Sequence, residues 1–215
     1  MVDKNIEKRL IAEPMGPGIT EDYIRGFARE LNRYDYYSII CDEYNIDLAF
    51  KLFNKPRVGI MVSYPFGGMT TETKVRLMKI AVSKGCSEIN LCPNYAAIKS
   101  GDFETAKKDL EAVYEAADNK LDIVLVLMVG MMTLDEIKAI CDMCLEIGIH
   151  ILKTDAGFNL GKSEFEHVRY IKRIYGDKIE IEVSGGIQNL EQAQKFVNLG
   201  ADRVHSNACK EVVGA

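Results

Sequence analysis

The chain of 215 residues is 47% hydrophobic and 27% charged, which predicts one globular domain, residues 1–215, around one core. Its formal net charge is −5, and the sequence contains no segment rich in lysine and arginine. The composition therefore argues against a nucleic-acid-binding protein. The longest apolar run, residues 123–132, is much shorter than the roughly 20 residues of a membrane-spanning helix, and we expect no membrane partner.

Short β-rich runs alternate with amphipathic helical runs along the chain. In order, the predicted strands are 9–12, 37–41, 58–63, 88–91, 123–128, 149–153, 179–183 and 203–206. The predicted helices are 20–33, for which Thr20 is the N-cap, then 46–53, 71–84, 103–117, 134–147, 162–175 and 190–199. A following glycine or asparagine marks the ends of several of these helices.

The alternation predicts a parallel sheet, because each helix returns the chain to the same edge before the next strand. Eight units in one domain favour a closed (β/α)8 TIM barrel. An open flavodoxin-like sheet is the alternative, but it usually needs only about five strands. Residues 208–215 follow the last strand, so the last helix is predicted to be short or missing. A homo-oligomer contact is one way to cover that side of the barrel.

The six cysteines have no spacing typical of a disulfide framework, and the stretch MVDKNIEKRL has no apolar run of a signal peptide. We therefore expect reduced thiols in a cytoplasmic protein. Cys141 and Cys144 form a C-x-x-C pair inside the strongly helical stretch TLDEIKAICDMCLEIG. Because no second cysteine or histidine pair is near, burial on a helix face is favoured over metal or redox chemistry.

The active site of such a barrel lies at the C-terminal ends of its strands, where Lys153 closes the sixth predicted strand. Desolvation favours the neutral amine of a lysine, which makes it a candidate nucleophile for a carbonyl carbon. A lysine that reaches to the rim or pairs with Asp155 fits the local pattern equally well. Glu180 and Glu182 alternate along the seventh strand, and we predict that they point inward, with Glu182 at the mouth. A solvated charge stripe is the alternative.

The loop Ser184-Gly185-Gly186 follows the seventh strand and predicts an anion site. Glycines let backbone N–H groups approach a phosphate, and the loops after strands seven and eight of such barrels often hold one. Ser206 and Asn207 close the last strand and could add donors. A simple tight turn is the alternative interpretation of the glycine loop.

Asn90 ends the fourth predicted strand, where its amide either binds a substrate hydroxyl or caps a loop. Residues 64–68 close the third strand and either line a pocket or form a turn. The three histidines have no metal-ligand spacing, and the chain has no serine nucleophile elbow. A metal-dependent aldolase or a serine hydrolase is therefore not favoured.

Four stretches within residues 20–207 carry a family pattern. VSYPFGGMTTETKV, SEINLCPNYAAIKSGDFETAKKDLEAV, ILKTDAGF and VSGGIQNLEQAQKFVNLGADRVHSNA resemble, in order and spacing, segments of the deoxyribose-phosphate aldolase family. Those segments read V-G-F-P-x-G-x-x-x-T-E-x-K, E-I-D-x-V-x-N-x-G-A-L-K-S-G-D-Y, V-K-T-S-T-G-F, and K-A-S-G-G-I-R-T-L-E-D-A followed by G-A-x-R-I-G-T-S-S-G. The resemblance implies a class I aldolase that uses no metal or organic cofactor. It also implies that Lys153 forms a Schiff base with a small phosphorylated carbonyl or sugar-phosphate substrate, and that Gly157 helps to bind it.

The proton-handling partners depart from the family pattern. Asn90 stands where the family has its catalytic aspartate, and Glu182 where it has a second lysine; the aspartate of the family motif D-x-T is not evident near residues 12–15. With opposite charges at these positions, we expect Lys153 and Glu182 to form a salt bridge. Glu182 would then be the proton shuttle, and Asn90 would position a hydroxyl or a water.

The leading interpretation is an aldolase-like lyase that acts through a Lys153 imine. A different imine or enolisation reaction in the same site, such as that of an isomerase or a dehydratase, is one alternative. A catalytically silent phosphosugar-binding protein is the other.

Overall fold

The computed structural model describes residues 5–54, 57–157 and 164–214. Its eight strands form a closed barrel in chain order, in which every neighbouring pair is parallel and β8 pairs with β1. The strands are β1 (Leu10–Ala12), β2 (Ser38–Cys41), β3 (Val58–Val62), β4 (Glu88–Leu91), β5 (Asp122–Val126), β6 (Ile151–Lys153), β7 (Glu180–Val183) and β8 (Arg203–His205). The predicted (β/α)8 barrel is confirmed.

The helices are α1 (Glu21–Leu31), α2 (Ile46–Leu52), α3 (Thr71–Lys84), α4 (Tyr95–Lys99), α5 (Phe103–Ala117), α6 (Leu134–Ile147), α7 (Phe165–Tyr175), α8 (Leu190–Asn198) and α9 (Cys209–Val213). Thr20, Thr70 and Thr133 accept a hydrogen bond from the backbone N–H three residues on, which fixes where α1, α3 and α6 begin. The predicted start of the seventh helix at residues 162–163 lies outside the described residues. Helix α4 was not predicted, and α9 has five residues, as expected for a short last helix.

The main core lies between the barrel and its helices. Along β4, Ile89 and Leu91 point outward into this core, so alternation directs Glu88 and Asn90 into the barrel. Cys141 and Cys144 are fully buried on the core face of α6, which confirms the helix-face interpretation of the C-x-x-C pair. Within the described part of the chain, no helix is long and apolar enough to span a membrane.

The barrel interior combines a small apolar cluster with buried charges. The apolar members are Ile11, Ile40, Met61, Cys92, Val126, Met128 and Ala156. Glu88, Lys153, Glu182 and His205 are also buried, with at most 2% of each residue exposed. Burying a charged side chain is costly unless it is paired. The charged side chains of the interior are therefore expected to form ion pairs with one another.

Candidate active site

A cavity of about 210 Å³ opens at the C-terminal mouth of the barrel, with Lys153 in its wall. Lys153 is the last residue of β6 and is 1% exposed, so its side chain is enclosed and does not extend to the rim. The other lining residues are Glu13, Met15, Met61, Tyr64, Ala156, Gly157 and Asn207. An enclosed lysine amine beside a cavity of this size can attack a small carbonyl compound.

Lys153 forms its ion pair with Glu13, which directly follows β1. The predicted salt bridge between Lys153 and Glu182 is therefore wrong: Glu182 is paired instead with Arg203 and His205. Asp155 is the alternative partner that the local sequence pattern allows for Lys153. In the structure it accepts a hydrogen bond from the backbone N–H of Gly157.

His205, the last residue of β8, lies between two carboxylates. Its Nδ1 is 2.9 Å from Glu13 Oε1, and its Nε2 is 2.7 Å from Glu182 Oε2. The second oxygen of Glu182 accepts a hydrogen bond from Arg203 Nε at 2.6 Å, and Arg203 Nη2 donates to Glu180. A line of alternating charges therefore runs through the barrel interior to the mouth cavity.

The electrostatics of this line fix its protonation states. Burial alone would raise the pKa of the Glu13 carboxyl, but Lys153 and His205 together hold that pKa well below its ordinary value. Burial also opposes ionisation of Glu182, whose pKa is nevertheless lowered by its bonds to His205 and Arg203. Burial and the charge of Lys153 oppose protonation of His205, but its two carboxylate partners outweigh them and raise its pKa. The two carboxylates are anions at neutral pH, and the raised pKa of His205 favours the imidazolium.

Asn90 is fully buried on β4. Neither its side-chain nitrogen nor its side-chain oxygen has a hydrogen-bond partner within the described residues. An unpaired buried amide costs roughly 1–3 kcal/mol, and such groups commonly mark the place of a water or a ligand. The fold thus brings Asn90 into the barrel interior but does not pair it with the charged line.

A second cavity, of about 200 Å³, shares Glu13, Gly157 and Asn207 with the first. It is otherwise lined by Ser184, Gly185, Gly186, Ile187, Gln188, His205, Ser206 and Ala208. Gly185 has a φ of 97°, and a Cβ there would lie 3.1 Å from the side chain of Asp155, so this turn requires glycine. All six residues predicted to bind substrate or phosphate therefore lie around one cavity that adjoins Lys153.

The side chains of Ser206 and Asn207 are held by hydrogen bonds of their own. The Ser206 hydroxyl donates to the Ile187 carbonyl at 2.7 Å and accepts from the Ala208 N–H at 3.0 Å, so its proton is not directed at the cavity. Asn207 Oδ1 accepts from the backbone N–H of Glu13 at 2.8 Å. This bond ties the end of the barrel's last strand to the end of its first.

The sequence gives no role to Glu13, Arg203 or His205, although all three belong to the charged line. The only signals in the sequence are that Glu13 follows the first predicted strand and that His205 lies near the end of the last one. Their arrangement is not a metal site: no group of three or more histidine, cysteine, aspartate and glutamate side chains in the described ranges could hold a metal ion.

Comparison with known proteins identifies the family. No protein-family model matches the chain. A deoxyribose-phosphate aldolase from Caldanaerobacter subterraneus subsp. tengcongensis is 30% identical over 214 residues, which cover 97% of this chain and 92% of that protein. The chain belongs to the deoxyribose-phosphate aldolase family. Another deoxyribose-phosphate aldolase, from Thermoanaerobacter sp., is 29% identical over 213 residues, covering 97% of this chain and 96% of the relative.

Solved aldolase structures share the fold over almost the whole chain. The structure of QR15, an aldolase, has a TM-score of 0.93 at 25% identity and covers 100% of this chain and 96% of its own. A tetrameric deoxyribose-phosphate aldolase from Aeropyrum pernix has a TM-score of 0.86 at 18% identity, covering 98% of this chain and 90% of that one. At this identity the likeness concerns the fold alone. The family resemblance of the sequence motifs is confirmed.

Proposed function

We propose that this family member is a deoxyribose-phosphate aldolase-like lyase, which forms a Schiff base between Lys153 and a small phosphorylated carbonyl substrate. One observation carries the proposal: the Lys153 amine is enclosed at the mouth cavity and is in contact with the Glu13 carboxylate. The shared name of the relatives, deoxyribose-phosphate aldolase, supports the same reaction class.

Glu13 is the group positioned to move protons at Lys153. The ammonium gives a proton to the Glu13 carboxylate, and the neutral amine attacks the carbonyl carbon. The carbinolamine hydroxyl then takes that proton and leaves as water, so a protonated imine replaces the ammonium and Glu13 is again an anion. In cleavage, Glu13 takes the proton from the substrate hydroxyl group whose carbon atom forms one end of the carbon–carbon bond that breaks. The electron pair of that bond moves to the imine nitrogen, and the resulting enamine takes the proton back at carbon.

We assign the phosphate group of the substrate to the second cavity. The glycine loop there can present backbone N–H groups to an anion, and the cavity shares three lining residues with the one beside Lys153. Inorganic phosphate is expected to compete with a phosphorylated substrate. If phosphate leaves KM unchanged, the assignment of this cavity fails.

Asn90 is assigned the positioning of a substrate hydroxyl or a water, because its buried amide has no partner among the described residues. Glu182 is proposed to influence proton transfer through His205, since its carboxylate is bonded to Arg203 and His205. To shuttle a proton directly, Glu182 would have to leave both of these partners.

Borohydride trapping tests the proposed reaction. The protein is incubated with acetaldehyde or deoxyribose phosphate and then reduced, and the adduct is located by mass spectrometry. We expect the adduct on Lys153, together with cleavage of deoxyribose phosphate into two aldehydes. Lys153→Met should lose both the adduct and the cleavage. Any adduct that remains in this variant measures non-specific labelling of other lysines.

Two outcomes of the trapping experiment would contradict an aldolase. An adduct on Lys153 without carbon–carbon cleavage would favour an isomerase or a dehydratase. Retained phosphate binding without any adduct would favour a silent sugar-phosphate-binding protein.

A homo-oligomer is part of the proposal. A groove of about 440 Å³ separates α1 from the short α9, and Tyr23, which is 44% exposed, stacks on Phe27 in its wall. Exposed aromatic surface of this kind is typical of protein–protein contacts, and the Aeropyrum pernix relative is a tetramer. Light scattering tests the proposal, which a monomer at all concentrations would contradict.

A cytoplasmic location is proposed from the cysteines. All six are buried and free of disulfides, which fits a reducing compartment. Cell fractionation that recovers the protein outside the cytoplasm would contradict this location.

A further inference from the structure

The protonation of His205 follows from its geometry. A neutral imidazole has one donor nitrogen and one acceptor nitrogen, yet both ring nitrogens of His205 face carboxylate oxygens, those of Glu13 at 2.9 Å and Glu182 at 2.7 Å. Both carboxylates accept a hydrogen bond only if the ring is an imidazolium. The side chain is buried, so solvent does not replace either bond.

We propose that His205 is a positioning residue for the Lys153 reaction: its imidazolium, fixed by Glu182 and Arg203, keeps Glu13 ionised and directed at the Lys153 amine. This inference rests on the proposed function, because it assigns the cause of the proton chemistry to a residue that acts on Lys153 through Glu13. It also explains how the site works with Glu182 where the family has a second lysine. The positive charge near Lys153 comes from β8 instead of β7.

The far side of His205 is anchored rather than mobile. Glu182 is fully buried and takes its second hydrogen bond from Arg203 Nε at 2.6 Å. The Arg203 guanidinium lies 4.6 Å from the centre of the Tyr37 ring and also binds Glu180. Because these contacts hold the Glu182 carboxylate, the imidazole ring has a fixed support from which it orients Glu13.

The same Glu13 oxygen accepts hydrogen bonds from both Lys153 and His205. When the Lys153 ammonium passes its proton to Glu13, the imidazolium becomes the cation that holds the carboxyl group in place. A neighbouring cation also makes a carboxylic acid stronger. His205 therefore favours return of the proton from Glu13 to the carbinolamine hydroxyl, which is the step that expels water.

Four charged groups from other elements of the barrel act on His205. Lys153 on β6 lowers its pKa, whereas Glu13 after β1 and Glu182 on β7 raise it, and Glu88 on β4 interacts with it by charge. Loss of His205 removes a cation and a hydrogen bond from Glu13, so the pKa of Glu13 rises. Loss of the Glu182 charge removes a cause of the raised His205 pKa, so the imidazolium persists over a narrower pH range.

Two variants test the two sides of this arrangement. Trapping with acetaldehyde and cyanoborohydride is followed on Lys153 from about pH 3 to about pH 9, because the pKa of Glu13 lies well below its ordinary value. The yield of each variant is divided by that of the wild type at the same pH. His205→Gln should move the acidic limb to higher pH by about one unit or more, the effect of an opposite charge at this distance. Glu182→Gln should move the alkaline limb to lower pH.

The double variant separates a charge effect from a structural one. Without a histidine to titrate, the alkaline shift caused by Glu182→Gln should disappear. His150→Gln, which removes an exposed histidine, is the matched control and should leave both limbs in place. Circular dichroism establishes that each variant is folded.

The outcomes distinguish the two proposals. If wild type gives no Lys153 adduct, the proposed function fails. If wild type gives the adduct but folded His205→Gln keeps the wild-type acidic limb, the positioning role is wrong. The same holds if the alkaline shift survives in the double variant.

Discussion

Replacement of Glu88 by glutamine is expected to stabilise the protein at alkaline pH. Glu88 is 1% exposed inside the barrel, and its Oε1 has no hydrogen-bond partner among the described residues. Burial and the charge of Glu182 raise its pKa from 4.5 to about 7, although the Ser38 side chain, Arg57 and His205 act in the opposite direction. The folded protein therefore holds a proton on Glu88 that the unfolded chain loses at lower pH.

The sign and size of the effect follow from this difference. Because the folded state binds the proton more tightly, stability falls as the pH rises from 4.5 towards about 7, and the cost is fully present above that range. One pKa unit corresponds to about 1.4 kcal/mol, so an ionised Glu88 costs the fold about 3 kcal/mol. That is a large part of the 5–15 kcal/mol by which native proteins are typically stable.

Urea unfolding measured by circular dichroism tests the reasoning. The gain in free energy of unfolding for Glu88→Gln should be near zero at about pH 4 and about 3 kcal/mol at about pH 8.5. Glu115→Gln, which changes an exposed glutamate on α5, should have little effect at either pH. An equal effect of Glu88→Gln at both pH values would refute the argument that a buried charge at this position destabilises the fold.

Three further changes probe the scaffold and the site. Lys74→Met leaves buried Asp109 without its ion-pair partner at 2.5 Å, so urea unfolding should show a loss of about 3–5 kcal/mol. Lys84→Met, which breaks an exposed pair, should show little change. Asn90→Leu should raise the free energy of unfolding by about 1 kcal/mol or more, because an unpaired buried amide is removed. It should also lower kcat/KM for cleavage, and equal or better cleavage would contradict the role assigned to Asn90. Gly185→Ala, at a φ of 97°, should lower thermal stability and weaken phosphate binding by calorimetry, since the strained backbone costs about 1–3 kcal/mol; unchanged binding would contradict the phosphate assignment.

The sequence alone determined the order of elements and many of their ends. The predicted bounds of α3, α5 and α6 coincide with those of the structure, and Thr20 caps α1 as predicted. These features depend on local periodicity and on caps a few residues away, so they are readable from a short window. Helix α4 escaped prediction because its five residues are too few for a periodic pattern.

The position of Lys153 at the mouth, and that of the glycine loop, also followed from the sequence. In a barrel, every strand ends at the same face, so a residue that closes a strand can be assigned to the mouth without knowledge of its neighbours. Family motifs strengthened both assignments. The inward direction of Glu182 followed from alternation along one strand.

The partners within the site were decided by the tertiary structure. Lys153 and Glu182 are register partners on β6 and β7, and that adjacency led to the wrong prediction of a salt bridge. In the fold, Arg203 and His205 occupy both oxygens of Glu182, and the Lys153 amine pairs with Glu13, 140 residues away in sequence. The physical reason is that closure of the barrel places β1 beside β8, so that the Glu13 carboxylate comes to lie against both His205 and Lys153.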